Sequence, residues 1–526
     1  MHKKLPYYFA CLSLILLASC AQMVAPTGGD KDNTAPEVLE FNPKNKATDF
    51  TKSKIEITFS EYIQLNKTDE QIIISPPLNT KPDITNKGKV LEIKFKEALL
   101  PNTTYTINFG NAIGDNKENN TLPLSYVFST GSSIDSNSIS GEVLNAFTNQ
   151  PEKDITIGLY ETSTYTDSTA YKYKPVYLGK TNINGVFTIT NLPATSFYLL
   201  AFNDINKNLK YDNTEGIGFL NNTITTTDST LTKLTVKLFK PETYPIGTIV
   251  DTFCKEPSKF SFVTYKSYAL NIKSANGKQY SKTVNTGTGL DTIYVFTETT
   301  DSIARFNAST QNKTVDIAIK NTPAFKTPKL HTQLTKQIEI NDSVKIRFNN
   351  PITSIDTSRI KLFKDSTQLK YHWVKLTDFE YAVAYNWEEK TNYKIQIMDS
   401  ACIDFYHQYN KKEGAAFAIK ALKEYANLLL HINIPPASKH PYLLQLLSDD
   451  EKKVCYEFII TKKQDINLIN ILPGTYKIKY IYDANVNSRW DNGDFNQKQQ
   501  PEQVGYFKEK LVIKPYWDLE QSILIE

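Results

Sequence analysis

Apolar side chains recur in this chain at every second position, segment after segment, a period that fits strands with one buried face and little else. Ile55, Ile57 and Phe59 form one such run, followed by Leu91, Ile93 and Phe95, by Tyr105, Ile107 and Phe109, and by Tyr126 with Phe128. Turn-forming stretches separate them: Pro76, Pro77, Leu78 and Asn79, then Asn86, Lys87 and Gly88, then Asp115, Asn116 and Lys117. About 100 residues patterned this way predict a β-sandwich. Composition agrees, since 31 Tyr and 27 Phe against 3 Met favour pleated, half-buried surfaces. The expected fold class is all-β, built of tandem β-sandwich modules.

A long-range echo sets the organisation. Val344 to Phe348 repeat the strand ending at Phe59, and Lys390 to Tyr393 repeat the segment ending at Tyr105, at offsets of 289 and 288 residues. Ile471, Leu472, Pro473, Gly474 and Tyr476 in turn echo Asn191, Leu192, Pro193 and Tyr198, each set followed by an apolar strand and an acidic loop.

The first unit runs from Ala35, Pro36 and Glu37 through Phe59, Ser60 and Glu61, then Ile72 to Pro76, then Leu100, Pro101, Asn102, Thr103, Thr104 and Tyr105, and closes on Tyr126 to Gly131. It resembles the bacterial Ig-like domain first described in surface-layer proteins. The next carries Ile139, Ser140, Gly141, Glu142 and Val143, then Thr181 to Phe187, then Leu192, Pro193 and Tyr198. It resembles the transthyretin-like, carboxypeptidase-regulatory β-sandwich. The resemblances imply an Ig-like domain at 34–131, a transthyretin-like one at 138–240, a β module without a family at 241–328, and second copies at 329–420 and 421–526. Turn pairs such as Asn276 and Gly277 predict hairpins in the middle segment.

The N-terminus predicts where the chain resides. Lys3 and Lys4 precede an apolar run from Tyr7 to Leu17, shorter than the roughly 20 residues of a membrane-spanning helix, so 1–19 is expected to be a cleaved export signal. It ends in Leu17, Ala18, Ser19 and Cys20, which resembles the lipobox of bacterial lipoproteins. That resemblance implies a diacylglycerol thioether and an acyl amide, palmitate or a similar chain, on Cys20, enough for stable anchoring in the outer membrane of a Bacteroidetes-type envelope. Residues 20–33 then form a tether. Ala21, Gln22, Met23 and Val24 carry no acidic cluster, and the sequence leaves open whether the protein faces the periplasm or the cell surface.

Charge and cysteine content narrow the partners. The formal net charge is +4, of which Lys3 and Lys4 leave with the signal, and the basic residues are dispersed; neither nucleic acid nor an anionic membrane patch is an expected partner. Cys254, Cys402 and Cys455 lie far apart, implying no disulfide framework, and are expected to be buried thiols.

The sharpest chemical signal is a pair of acidic loops. Asp204, Asn206, Asn208, Lys210, Asp212 and Glu215 occupy positions 1, 3, 5, 7, 9 and 12 of a twelve-residue segment, the spacing of a calcium loop. Asp483, Asn485, Asn487, Arg489, Asp491 and Asp494 repeat it. Position 7 needs only its carbonyl, so Lys210 and Arg489 are no obstacle, and Glu215 or Asp494 would close the site. Position 6, where such loops want glycine, is Leu209 or Ser488. The alternative is a loop tied by Asx turns without metal.

Catalytic signatures are missing. The histidines are His2, His331, His372, His407, His431 and His440, and there is no HExxH, GxSxG or Walker segment. Cys402, Asp404 and His407 form a tempting cluster that the strand pattern assigns to a strand edge and its turn. Trp373, Trp387, Trp490 and Trp517 could stack on sugar, although packing is their commoner use. The expectation is a non-catalytic binding or scaffold protein, lipid-anchored in the envelope, whose partner is another envelope protein or a glycan. Alternatives are an accessory subunit of an outer-membrane β-barrel assembly or transport machine, a glycan-binding adhesin, and a carbohydrate-active enzyme with an unrecognised site.

Overall fold

The computed structural model describes residues 32–226, 231–242, 244–275, 277–285, 290–299, 301–310, 313–321, 329–436 and 438–525. The expected signal at 1–19, Cys20 and most of the expected tether lie outside them. Strands dominate, helices are single turns, and no helix among the described residues is long and apolar enough to cross a membrane.

The strands fall into five successive sets that share no sheet, and the chain is a tandem array of β-sandwich modules. In the first, Val38–Asn42, Lys54–Phe59, Val90–Lys94 and Asp83–Lys87 form one sheet, opposed by Ile73–Ser75, Thr104–Gly110 and Leu124–Ser129. The alternation read from the sequence is the burial pattern: Ile55, Ile57, Phe59, Leu91, Ile93, Tyr105, Ile107, Phe109 and Phe128 close one core, and in Lys54–Phe59 and Val90–Lys94 the alternate positions are more exposed. The fourth module repeats this plan, with Thr332–Leu334, Val344–Phe348, Glu380–Ala384 and His372–Lys375 facing a sheet that contains Ile360–Lys364, Asn392–Ile397 and Glu413–Ala418.

Two small devices recur in that pair. The Tyr105 hydroxyl accepts a bond from the Leu100 amide at 2.9 Å, and the Tyr393 hydroxyl accepts one from the Glu388 amide at 3.0 Å. Each pins a turn whose left-handed residue is Asn102 or Lys390. Asp115 is buried and accepts the amides of Lys117, Glu118, Asn119 and Asn120, which hold its carboxyl down at about 2. Asp404 is its counterpart, accepting the amides of Tyr406 and Gln408 and the side chain of Asn350. The Cys402, Asp404, His407 cluster is thus a strand end, Cys402–Asp404, and its loop.

The second and fifth modules share another plan. Asn137–Asn145 lies between antiparallel Val186–Leu192 and parallel Leu231–Leu238; likewise Ala426–Asn433 lies between Gln464–Ile471 and Asp518–Leu524. The facing sheets run Tyr177–Lys180, Thr156–Glu161, Ser196–Phe202 and Ile217–Phe219 in one copy, and Val454–Ile460, Tyr442–Ser448, Gly474–Tyr482 and Val504–Tyr506 in the other.

In the third module Ile249–Glu256, Lys259–Tyr265, Leu290–Thr297 and Gln279–Asn285 face Asn271–Ser274, Ile303–Ser309 and Thr314–Lys320. The turn expected at Asn276 and Gly277 joins strands of different sheets rather than a hairpin, and Asn276 itself is outside the described residues. Ile293 and Val295 fill this module's core, while Phe296 turns outward against Phe379 of the fourth module at 5.1 Å.

Of the three described thiols only Cys402 is buried; Cys254 and Cys455 are half-buried. Trp387 is core, Trp373 stacks on Tyr381, and Trp517 stays 44% exposed beside Tyr516.

Candidate functional site

Each acidic loop leaves the end of an inner strand, Ser196–Phe202 or Gly474–Tyr482, and folds over its own first aspartate. Asp204 accepts the amides of Asn208 and Leu209, both at 3.0 Å; Asp483 accepts those of Asn487 at 3.0 Å and Ser488 at 2.7 Å. Asn208 Oδ1 accepts the Lys210 amide at 2.6 Å and Asn487 Oδ1 the Arg489 amide at 2.9 Å. Asn206 and Asn208 donate from Nδ2 to Asp212 Oδ2 at 2.6 and 3.1 Å, and Asn485 and Asn487 donate to Asp491 Oδ2 at 2.5 and 2.6 Å. The two loops are one hydrogen-bonded design.

Position 6 keeps the conformation that normally calls for glycine. Leu209 and Ser488 sit at φ of 60° and 59°, and position 4, Lys207 or Val486, at 61° and 60°. A side chain in the left-handed region costs roughly 1–2 kcal/mol, met here by the amides that the first aspartate gathers.

The residue that closes the second loop differs from the expected one. Glu215 Oε1 accepts the Ile205 amide at 2.8 Å and Oε2 the Asp212 amide at 3.2 Å. The same two positions of the second loop, the amides of Ala484 and Asp491, donate at 2.8 and 3.0 Å to Glu502. Asp494 instead turns its carboxylate to the amides of Asn496 and Gln497. The reason is an insertion: three residues lead from Asp212 to Glu215, but eleven from Asp491 to Glu502. The missed signal lay downstream, where Glu215, Ile217, Gly218 and Phe219 match Glu502, Val504, Gly505 and Tyr506.

Three carboxylates gather in each loop, Asp204, Asp212 and Glu215 in one and Asp483, Asp491 and Glu502 in the other, with Glu215 and Asp483 buried. Burial pushes the carboxyl of Asp204 up; it also raises Glu215, helped by Asp204 and Asp212, and Glu502, helped by Asp491 and Asp483. All the donors are hard oxygens, the set that suits calcium. Among the described residues no three His, Cys, Asp or Glu side chains converge closely enough to hold an ion as they stand. The side-chain amides of Asn206 and Asn208 are held by Asp212, and those of Asn485 and Asn487 by Asp491.

The insertion of the second loop is a hairpin. Asp494 and Gln499 exchange backbone bonds at 2.8 and 2.9 Å, and its tip reaches the second module. Phe495 packs against Tyr211 and Phe219, both at 5.5 Å, within one aromatic cluster. Gln500 Nε2 donates to the Phe219 carbonyl at 2.9 Å, the Tyr171 hydroxyl to Asn496 at 2.9 Å, and Lys498 pairs with Asp167 at 3.0 Å. Gly493 lies so close to Phe239 that a Cβ there would meet the ring at 2.6 Å. The first loop has its own neighbour, since Lys207 pairs with Glu70 of the first module at 3.0 Å and Asp204 and Leu209 line a cleft of about 410 Å³ between the two.

Residues 32–130 match the bacterial Ig-like domain family. No curated protein matches the sequence. Similar solved structures include the SGBP-B protein of the Bacteroides ovatus mixed-linkage glucan utilization locus in complex with a mixed-linkage heptasaccharide, at 8% identity over 83% of this chain and 99% of that one, with a TM-score of 0.19. Others are the S-layer protein rSbsC, at 10% identity, 69% and 64% coverage and a TM-score of 0.17, and BcpA, the major pilin subunit of Bacillus cereus, at 8%, 74%, 98% and 0.15. At these TM-scores the likenesses say nothing of what the chain binds.

Proposed function

We propose that this chain is a non-catalytic scaffold or binding protein of a Gram-negative envelope, anchored in the outer membrane through lipid on Cys20, with calcium stiffening its two acidic loops. One observation carries the scaffold reading: both acidic loops lie at joints between modules. The first meets Glu70 through Lys207, and the second seats Phe495 on the second module. A chain built this way presents its surfaces at fixed angles. The second and fifth modules are transthyretin-like copies within that design. Calcium would be held by Asp204, Asn206, Asn208, Asp212 and Glu215, and by Asp483, Asn485, Asn487, Asp491 and Glu502, with carbonyl oxygen from Lys210 and Arg489. It would supply the charge that the clustered carboxylates lack.

The anchor is tested by fatty-acid labelling and fractionation: Cys20→Ser should leave the mature chain soluble and unlabelled, and retention in membranes would refute anchoring. The scaffold reading is tested by cross-linking and affinity purification from membranes. A stoichiometric β-barrel partner would make the chain an accessory subunit of an assembly or transport machine. Exposed Tyr516 and Trp517, at 81% and 44%, are the feature that favours a glycan partner; their removal should then abolish retention on a glycan array. Release of sugar from such a panel would replace the non-catalytic reading.

A further inference from the structure

The joint between the second and fifth modules holds a buried amine. Lys479 is 2% exposed. It lies on the strand Gly474–Tyr482 and pairs with Tyr506, as Leu200 on Ser196–Phe202 pairs with Phe219. One copy of the fold thus has leucine where the other has lysine. The Lys479 Nζ stands 3.1 Å from the centre of the Phe147 ring, which belongs to the second module and leans on Trp490 at 5.0 Å. On its own module the amine faces Tyr506 at 5.8 Å. The carboxylate whose field reaches it, Glu451, is engaged by Lys477 at 2.5 Å and also faces the Tyr506 hydroxyl.

We propose that this joint is a releasable clasp, seated by the hairpin 494–500 and loosened by positive charge on the Lys479 side chain. Seating places Phe147 over the amine and removes its water, which disfavours the ammonium; burial holds it down at about 8. In the open chain Phe147 withdraws, and the amine returns toward the ordinary lysine value near 10.4. A base depressed in the closed state makes the open state the better proton binder. Closure therefore strengthens as pH rises from about 8 toward the ordinary value and weakens as pH falls through about 8. The attraction of the ammonium for the ring face keeps the clasp from being lost outright below that range. Neither Lys479 nor Phe495 belongs to the carboxylate sets of the loops, so the clasp stands apart from the calcium reading.

The experiment is hydrogen exchange on the full chain in chelator, following the amides of 494–500 corrected for intrinsic rate, with small-angle scattering in parallel. Protection in the wild type should rise about tenfold between pH 8 and 9.5. Lys479→Met should be protected at every pH, and Phe495→Asp exposed and expanded at every pH while circular dichroism shows the sheets intact. If Phe495→Asp does not fold, Gly493→Ala, which collides with Phe239, replaces it. Wild-type pH dependence in Lys479→Met would overturn the role of the amine. An unchanged scattering profile in the hairpin variant, or protection that rises with protein concentration, would overturn the intramolecular clasp.

Discussion

The two acidic loops use the same first aspartate, asparagine pair and left-handed residues, and both close on a glutamate, but they differ by the stretch inserted between Asp491 and Glu502. The first loop is compact and leans on the module immediately before it. The second carries a hairpin that crosses to a module more than two hundred residues away in sequence. A hydrogen-bonded frame that holds itself closed tolerates an insertion at one point of its rim, because the bonds on either side of that point survive it. One ancestral loop can thus acquire a contact role without losing its fold.

The comparison is broken most severely at Phe495. Phe495→Ala should cost about 3 kcal/mol of the coupling between the second and fifth modules, seen as a separation of their calorimetric transitions relative to the wild type; an unshifted profile would mean that the hairpin binds nothing. Calcium separates the two glutamates next. With the ion at about 100 times its dissociation constant, a loop gains about 2.7 kcal/mol. Glu215→Gln should remove this from the second module and Glu502→Gln from the fifth, while Asp494→Asn should leave it intact; a loss with Asp494→Asn would restore the twelve-residue spacing.

Acid should act on both loops in the same direction. Glu215 and Glu502 have carboxyls raised by folding, so the folded chain is the better proton binder and their contribution falls as pH rises from the unfolded value through the folded one. Denaturation without calcium should therefore show both modules gaining stability as pH is lowered from neutral toward the ordinary carboxylate range, a gain flattened by Glu→Gln and masked by calcium. The smallest effect is expected at Ser488, where Ser488→Gly should relieve left-handed strain and stabilise by about 0.5–1 kcal/mol. A loss measured by urea titration would place the Ser488 side chain in a role beyond its backbone.

Much of this architecture was legible in the sequence because period-two burial writes itself into composition. Ile55, Ile57 and Phe59 are buried as their spacing requires, and the offset between Phe59 and Phe348 reports a repeated plan. Closure by Glu502 was not legible from fixed spacing, which cannot see past an insertion. Contacts between modules were hidden for another reason. Phe296 and Phe495 obey the rules of an ordinary strand or turn, and which of their faces meets another module depends on the arrangement of whole domains. Asp404 lies where the strand pattern puts it, at a strand edge and its turn, with Oδ1 on the amides of Tyr406 and Gln408 and Oδ2 on the Asn350 side chain.

The parallel pairing of first and last strands in the second and fifth modules has a mechanical consequence. Gly141 to Asn145 lie beside Leu234 to Leu238, and Asn427 to Asn433 beside Asp518 to Leu524, with the chain entering and leaving each module at opposite ends of the pair. Tension applied along the backbone then shears the whole row of bonds at once instead of peeling them one by one. Such modules transmit a pull as stiff links, and the hairpin between them would be the first contact to yield.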